Sequence, residues 1–344
     1  MSADLACLMK PAGGPQLEAM ARRALALTRA HFGNTISLYA PLYLSNHCPG
    51  GCAYCGFASD RKQPRRHLNP EAIEAELDAI HALGFDEVLL LTGDRTVQAG
   101  YDYLLDGVAR AAKRFHVVTV ESFAMTEAEY RGLVEAGCTG VTLYQETYDP
   151  GVYERLHRWG PKRDYAFRRE APARALAAGM RTVGLGVLLG LADPAVEMMA
   201  LDQHLDELEK RYWRGGLSVS FPRMRPQQGG FEPAFPVSDA FLAQLVFAFR
   251  ICRPEVPLVL STRESAAFRD GMAGVGISKM SAGSRTTVGG YRAPAETGGQ
   301  FEVSDDRDVE TFCAMLRAKG LEPVFKNGDR VFLALDEAGT RSVC

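Results

Sequence analysis

The chain has 344 residues, 47% of them hydrophobic, and a formal net charge of -3, enough to bury a substantial core in one large domain or two ordinary ones. That net charge gives no electrostatic reason to expect nucleic acid or an anionic membrane, both of which favour clustered Lys and Arg. The longest apolar stretch, Val183 to Ala192, is broken by glycine and is about half a bilayer span, so no membrane helix is expected.

Met1 to Pro15 carries one lysine, Lys10, and no continuous apolar region, so no export signal is read there and a cytoplasmic location is expected. Residues 1–34 are assigned to a helical extension. Apolar, β-rich runs then recur at Ile36–Leu44, Val88–Leu91, Val117–Val120, Val141–Tyr144, Val183–Leu189, Leu217–Phe221, Leu258–Leu260 and, more weakly, Ile277–Met280. Between them lie segments with apolar residues at helical spacing: Pro70–Leu83, Tyr101–Phe115, Thr126–Ala136, Arg168–Ala178, Pro194–Tyr212 and Asp239–Ile251.

Alternating strands and helices call for an α/β fold with a parallel sheet, and closure of eight units predicts a (β/α)8 TIM-type barrel over residues 35–290. An open doubly wound sheet is the alternative. The barrel makes a sharper statement about function, because reactive residues should gather just after the strands. Gly84, Gly137 and Gly179 each follow a helix and precede a strand, as left-handed helix ends require. Asp305 to Asp308 reads as a solvated helix start, followed by a helical Val309–Lys319 and an apolar Val331–Leu335. Residues 291–344 are therefore expected to pack on the barrel as a short C-terminal segment.

Eight cysteines are diluted over the chain, yet three crowd into Cys48, Cys52 and Cys55. Cys7, Cys138, Cys252, Cys313 and Cys344 lack paired spacing and read as small hydrophobes. The CxxxCxxC run lies on the loop directly after the first predicted strand, with Gly50, Gly51 and Gly56 leaving room for a bulky inorganic core. An iron–sulfur cube normally takes four thiolates, and three leave one iron open to an exogenous ligand. A zinc site completed by His47 or His67 and a redox CxxC are the competing readings, and both match the spacing poorly.

With an aromatic residue before the third cysteine, the motif resembles the radical S-adenosylmethionine superfamily, in which the open iron of a [4Fe-4S] cluster is chelated by that cofactor. Tyr43-Leu44-Ser45-Asn46, Tyr54-Cys55-Gly56-Phe57, Leu91-Thr92-Gly93-Asp94, Tyr144-Gln145-Glu146-Thr147-Tyr148, Ser220-Phe221-Pro222-Arg223 and Ser261-Thr262-Arg263-Glu264-Ser265 narrow the resemblance to the aromatic amino acid lyase branch, and within it to the 2-iminoacetate synthases of thiamine thiazole biosynthesis. The resemblance spans essentially the whole chain. A hydrogenase maturase of the same group is weighed against, because no CxxC occurs in the tail before Cys344. Lyases acting on another aromatic amino acid, such as tryptophan, remain an alternative.

The resemblance implies roles for residues at the strand ends. Gly93 and Asp94 stand where the superfamily usually has a glycine-rich turn ending in glutamate, which binds the cofactor's ammonium group; Asp94 departs from that pattern. Glu121 and Glu146, after the third and fourth strands, are expected to contact the ribose or amino acid part of the cofactor, and Arg168 its carboxylate. Arg263 with Ser281 would hold a substrate carboxylate, Tyr43 would line the substrate pocket, and Arg223 and Gln145 are further substrate candidates. For Arg223, a structural pair with Glu232 or Glu264 is the rival reading.

The activity so implied begins when a flavodoxin- or ferredoxin-type donor reduces the cluster and S-adenosylmethionine is cleaved to methionine and a 5′-deoxyadenosyl radical. That radical takes a hydrogen from L-tyrosine, whose Cα–Cβ bond breaks to give 2-iminoacetate and a fragment ending as p-cresol. A thiazole synthase is the partner the family would supply.

Overall fold

The computed structural model describes residues 2–292 and 299–325, so Val331–Leu335 lies outside the described residues, as does part of the 291–344 segment. Among the described residues nine strands form one sheet: β1 Thr35–Tyr43, β2 Glu87–Leu91, β3 Val117–Glu121, β4 Gly140–Thr142, β5 Thr182–Gly186, β6 Gly216–Ser220, β7 Leu258–Leu260, β8 Lys279–Ser281 and β9 Glu322–Val324. Each of the first seven pairs in parallel with its successor, and β1 closes the ring by pairing with both β2 and β8. The result is a closed (β/α)8 barrel. The short ninth strand runs parallel to Thr35–Ser37 at the barrel's base.

Strands buried on both faces read as continuous apolar runs in the sequence, and Glu87-Val-Leu-Leu-Leu91, buried throughout, shows why. The helices start where a side chain can take an orphan N–H. Asn69, Asp149, Asp193 and Ser238 accept such bonds, and Thr126 with Glu129 completes a reciprocal capping box. Gly84, Gly137 and Gly179 take φ values of 91, 104 and 99°, as their reading as helix ends requires.

Two local expectations need correction. The expected helix Arg168–Ala178 is two pieces, Tyr165–Arg169 and Ala171–Ala177, with Pro172 in the first turn of the second, where it has no N–H to continue the first. The cluster at Asp305–Asp308 is not simply solvated. Asp308 caps the helix Val309–Ala318, but Asp305 is buried against Arg269 and Arg307.

At the amino end, helices Ser2–Leu8 and Gly14–Phe32 pack beside helix Asp239–Cys252, whose buried Gln244 donates to Leu8 O at 2.8 Å and Lys10 O at 2.6 Å. Among the described residues no helix is long and apolar enough to cross a membrane. Inside the barrel, Tyr39, Leu89 and Tyr144 form a floor between an upper cavity at the strand C-termini and a lower one around the Glu87–Lys279 ion pair.

Candidate active site

Parallel closure places every strand C-terminus at one mouth, and the loop after β1 brings Cys48, Cys52 and Cys55 there. Their side chains line one pocket together with Gly50, Gly93, Asp94, Glu121, Glu146, Lys162 and Arg168. The loop is fixed from two sides. Gly51 N donates to Trp159 O at 2.9 Å and Ala53 N to Leu156 O at 2.9 Å, while Arg65 donates to Asn46 O at 2.7 Å and Phe57 O at 2.9 Å. Tyr54, the aromatic residue of the motif, hydrogen bonds His157 Nε2 at 2.7 Å. Because His157 Nδ1 faces the Tyr153 carbonyl at 2.8 Å, Nδ1 carries the proton and Nε2 accepts from the Tyr54 hydroxyl. Burial pushes this imidazole down to about 3, so it stays neutral.

The glycines of the motif are steric necessities. A Cβ on Gly93 would stand 2.3 Å from His47 O and 2.8 Å from Cys48 Cβ, and one on Gly51 would enter the Trp159 indole at 2.3 Å. At Gly50 it would meet Cys48 Sγ at 3.5 Å and Cys52 Sγ at 3.9 Å, so two sulfurs crowd the same cradle. Burial pushes the Cys48 thiol up to about 11 and the Cys52 thiol up to about 12, and a metal bound there must displace those protons. Backbone N–H groups of Asp94 and Phe57 reach Cys48 Sγ and Cys55 Sγ, each at 3.4 Å, as hydrogen bonds to cluster sulfurs do.

Three thiolates on one loop are a donor set that an iron–sulfur cluster takes, with one iron left open. Among the described residues no group of three or more His, Cys, Asp or Glu is gathered closely enough to hold one metal ion. His47 and His67, the candidates for a fourth zinc ligand, instead pack ring to ring at 5.6 Å. The remaining described cysteines, Cys7, Cys138, Cys252 and Cys313, are free.

The strand-end acids sit around the thiols. Glu146 is the one non-glycine residue with positive φ, 71°, among the described residues, a turn that sends its carboxylate into the pocket wall. Lys162 Nζ donates to Glu146 Oε1 at 2.6 Å, and Arg168 approaches the same oxygen at 3.7 Å. Burial alone would raise Glu146, but these two cations hold its carboxyl below the ordinary carboxylate value. Arg168 is buried and donates from Nε to Tyr144 O at 2.9 Å, whereas its neighbour Arg169 pairs with Glu207. Asp94 lines the pocket while its Oδ1 accepts from Arg95 N at 2.8 Å. Burial pushes Glu121 up to about 7 against the opposing pull of Arg263.

A second pocket adjoins the first. Tyr43, Arg263, Ser281 and Glu121 line it, and it shares Tyr43, Leu91, Glu121, Tyr144 and Gln300 with the thiol pocket. The Arg263 guanidinium stacks 3.4 Å over Phe301. Ser281 Oγ accepts from Thr262 N at 3.3 Å. Tyr43 donates to Gln300 Oε1 at 2.8 Å.

Two expected residues are not brought to either pocket. Arg223 turns to Glu264, which it grips with two nitrogens, and to Asp239 at 2.8 Å and Val237 O at 2.9 Å. Its reading as a structural pair with Glu264 holds, because a guanidinium saturated by two carboxylates has no reason to leave them. Gln145 is buried beside Glu146 and lines neither pocket, whereas its neighbours Tyr144 and Glu146 line the thiol pocket. Sequence reasoning missed Lys162, Gln300 and Phe301, which line these pockets from irregular segments.

Three thiols on the loop after β1, with carboxylates and cations from the following strand ends, define a barrel enzyme built to hold a sulfur-ligated cluster and a charged small molecule at one mouth. Residues 42–202 match the family model described as the radical SAM superfamily, and residues 220–322 match the biotin and thiamin synthesis associated domain. Two curated proteins called 2-iminoacetate synthase, from Salmonella typhimurium and Escherichia coli K12, are each 42% identical over 327 residues, covering 95% of this chain and 87% of theirs. A crystal structure of HydG, a maturase of the [FeFe]-hydrogenase, superposes with a TM-score of 0.89 at 34% identity, over 93% of this chain and 72% of that one. The chain belongs to the radical SAM superfamily, in the branch that holds the 2-iminoacetate synthases. It is a radical SAM lyase, and that family implies an iron–sulfur cluster and S-adenosylmethionine.

Proposed function

We propose that the chain is a tyrosine lyase that cleaves the Cα–Cβ bond of L-tyrosine to 2-iminoacetate and p-cresol, for thiamine thiazole biosynthesis. The observation that carries this reading is the second pocket, where an arginine and a serine stand beside the thiol pocket and share five wall residues with it. The curated relatives named for 2-iminoacetate support the same product.

Cys48, Cys52 and Cys55 would hold the cluster as a [4Fe-4S] cube, and together with S-adenosylmethionine it supplies, when bound, one-electron chemistry that removes a hydrogen atom from the substrate. The residues of the chain do the rest. Asp94 and Glu121 accept from the cofactor's ammonium and ribose hydroxyls, and Arg168, buried beside Glu146, pairs with its carboxylate. Arg263 offers a planar fork for the substrate carboxylate, with Phe301 holding the guanidinium flat and Ser281 adding a hydroxyl. Tyr43 and Gln300, joined at 2.8 Å, close the side between the two pockets and keep water from the reacting carbon.

The test is anaerobic incubation with reductant, S-adenosylmethionine and either tyrosine or tryptophan, followed by chromatography. p-Cresol from tyrosine supports the assignment. Cofactor cleavage with tryptophan products and no p-cresol would move the chain to a lyase of another aromatic amino acid.

A further inference from the structure

We propose that the surface around Trp159 is the electron-entry face of the protein, and that it docks an acidic one-electron carrier protein. This inference rests on the cluster reading above, and it deepens that reading by assigning the partner a place.

The first observation is thinness. Residues 158–160 lie directly on Gly50 and Gly51, the two glycines between Cys48 and Cys52. Gly160 is so close that a Cβ on it would stand 2.7 Å from Gly50 Cα, and the Trp159 indole covers Gly51. Trp159 itself is 40% exposed. On this side the Trp159 segment and one glycine pair are all that lie over the Cys48–Cys52 turn. Electron tunnelling decays steeply with distance, so a donor seated here has a short path through protein.

The second observation is charge. The two segments that pack together at this face, residues 58–67 and 154–163, carry eight Lys and Arg against two Asp and Glu, in a chain whose net charge is -3. Part of that charge is structural. Arg158 donates to Gly51 O at 2.8 Å and to Asp60 at 2.7 Å, and Lys162 is held by Glu146. Lys62 and Arg155 are exposed and have no ion-pair partner among the described residues, and Arg163 reaches Glu154 only at 4.0 Å. Exposed cations on the two segments that meet at the indole suit an acidic partner and raise its encounter rate through long-range attraction. In the transfer the carrier loses one electron and the bound cluster gains it; no atom or group moves.

The test uses the cluster-loaded full chain and a purified acidic flavodoxin in its hydroquinone form, with stopped-flow absorbance following cluster reduction at several salt concentrations. Replacing Lys62→Glu, Arg155→Glu and Arg163→Glu together is expected to slow reduction by flavodoxin by about tenfold or more at low salt and to flatten its salt dependence, with reduction by photoreduced deazaflavin changed by less than about twofold. Glutamine at the same three positions should give an intermediate rate, which keeps the test open if the charge-reversed protein loads poorly. An unchanged rate and salt slope with flavodoxin, in variants that deazaflavin still reduces, would overturn the docking face while leaving the cluster reading intact. Wild-type protein that takes up no cluster would remove both.

Discussion

Lys162 and Glu146 form a buried ion pair 2.6 Å long in the wall of the thiol pocket, and Arg168 supports the same carboxylate oxygen at 3.7 Å. Glu146 reaches its partner at φ 71°, a conformation that residues with side chains rarely adopt, and Lys162 from the short turn Pro161–Arg163. Removing one member of such a pair leaves the other charge without water or counter-ion. Lys162→Met should therefore destabilise the protein, toward the lower end of the roughly 3–5 kcal/mol seen for broken buried pairs, because Arg168 remains. Denaturant unfolding checks the stability. Calorimetric titration with S-adenosylmethionine should reveal weaker binding in the same variant, and unaltered stability with unaltered affinity would remove the pair from the site.

Glu121 gives the site a pH signature. Its carboxyl is raised to about 7 in the folded chain from an ordinary value of 4.5, so between those values the native state binds more protons than the unfolded one. Its contribution to stability is thus complete below the unfolded value and is lost as pH rises through about 7, amounting to at most about 3 kcal/mol. Glu121→Gln should abolish that part of the pH dependence and make the cofactor-free protein more stable than wild type at pH 8. Parallel unfolding curves for the two proteins from pH 5 to 8 would contradict it.

Gly93 is where the turn after β2 touches the thiol loop. Gly93→Ala would drive a Cβ to 2.3 Å from the His47 carbonyl, which is backbone and cannot rotate aside. The loop must shift, so the variant should fold but assemble far less iron and sulfide than wild type. Full metal uptake would mean the loop position does not govern assembly.

Arg263→Ala should weaken tyrosine binding more than S-adenosylmethionine binding. Arg263→Lys should not restore it, since an ammonium neither stacks on Phe301 nor offers two parallel donors. Equal tyrosine affinities for all three proteins would take Arg263 out of the substrate pocket.

The barrel was legible in the sequence because its strands are buried on both faces, so each of the eight appears as an apolar run bracketed by helical periodicity. β9 was not, since Glu322-Pro323-Val324 carries a charge and a proline and pairs along one edge only. The cysteine loop announced itself by spacing, Glu121, Glu146, Arg263 and Ser281 by the family resemblance together with their place at strand ends, and Arg168 by resemblance alone, since it stands on the helix Tyr165–Arg169. Position after a strand does not fix direction, however: Arg223 satisfies that rule and still turns to Glu264 and Asp239, while Gln145 lines neither pocket although both its neighbours line the thiol pocket. Lys162 and Gln300 carried no periodic signal. Gln300 reaches Tyr43 across 257 residues, a relationship that only the folded chain creates.

The central claim is that three thiols hold a cluster with one iron left for S-adenosylmethionine. Electron paramagnetic resonance of anaerobically assembled, reduced protein tests it most directly. The account predicts a cluster signal from about four iron and four sulfide per chain, a change in that signal when S-adenosylmethionine is added, and loss of the signal in Cys52→Ala. A signal indifferent to S-adenosylmethionine, or one that survives the cysteine replacement, would contradict it.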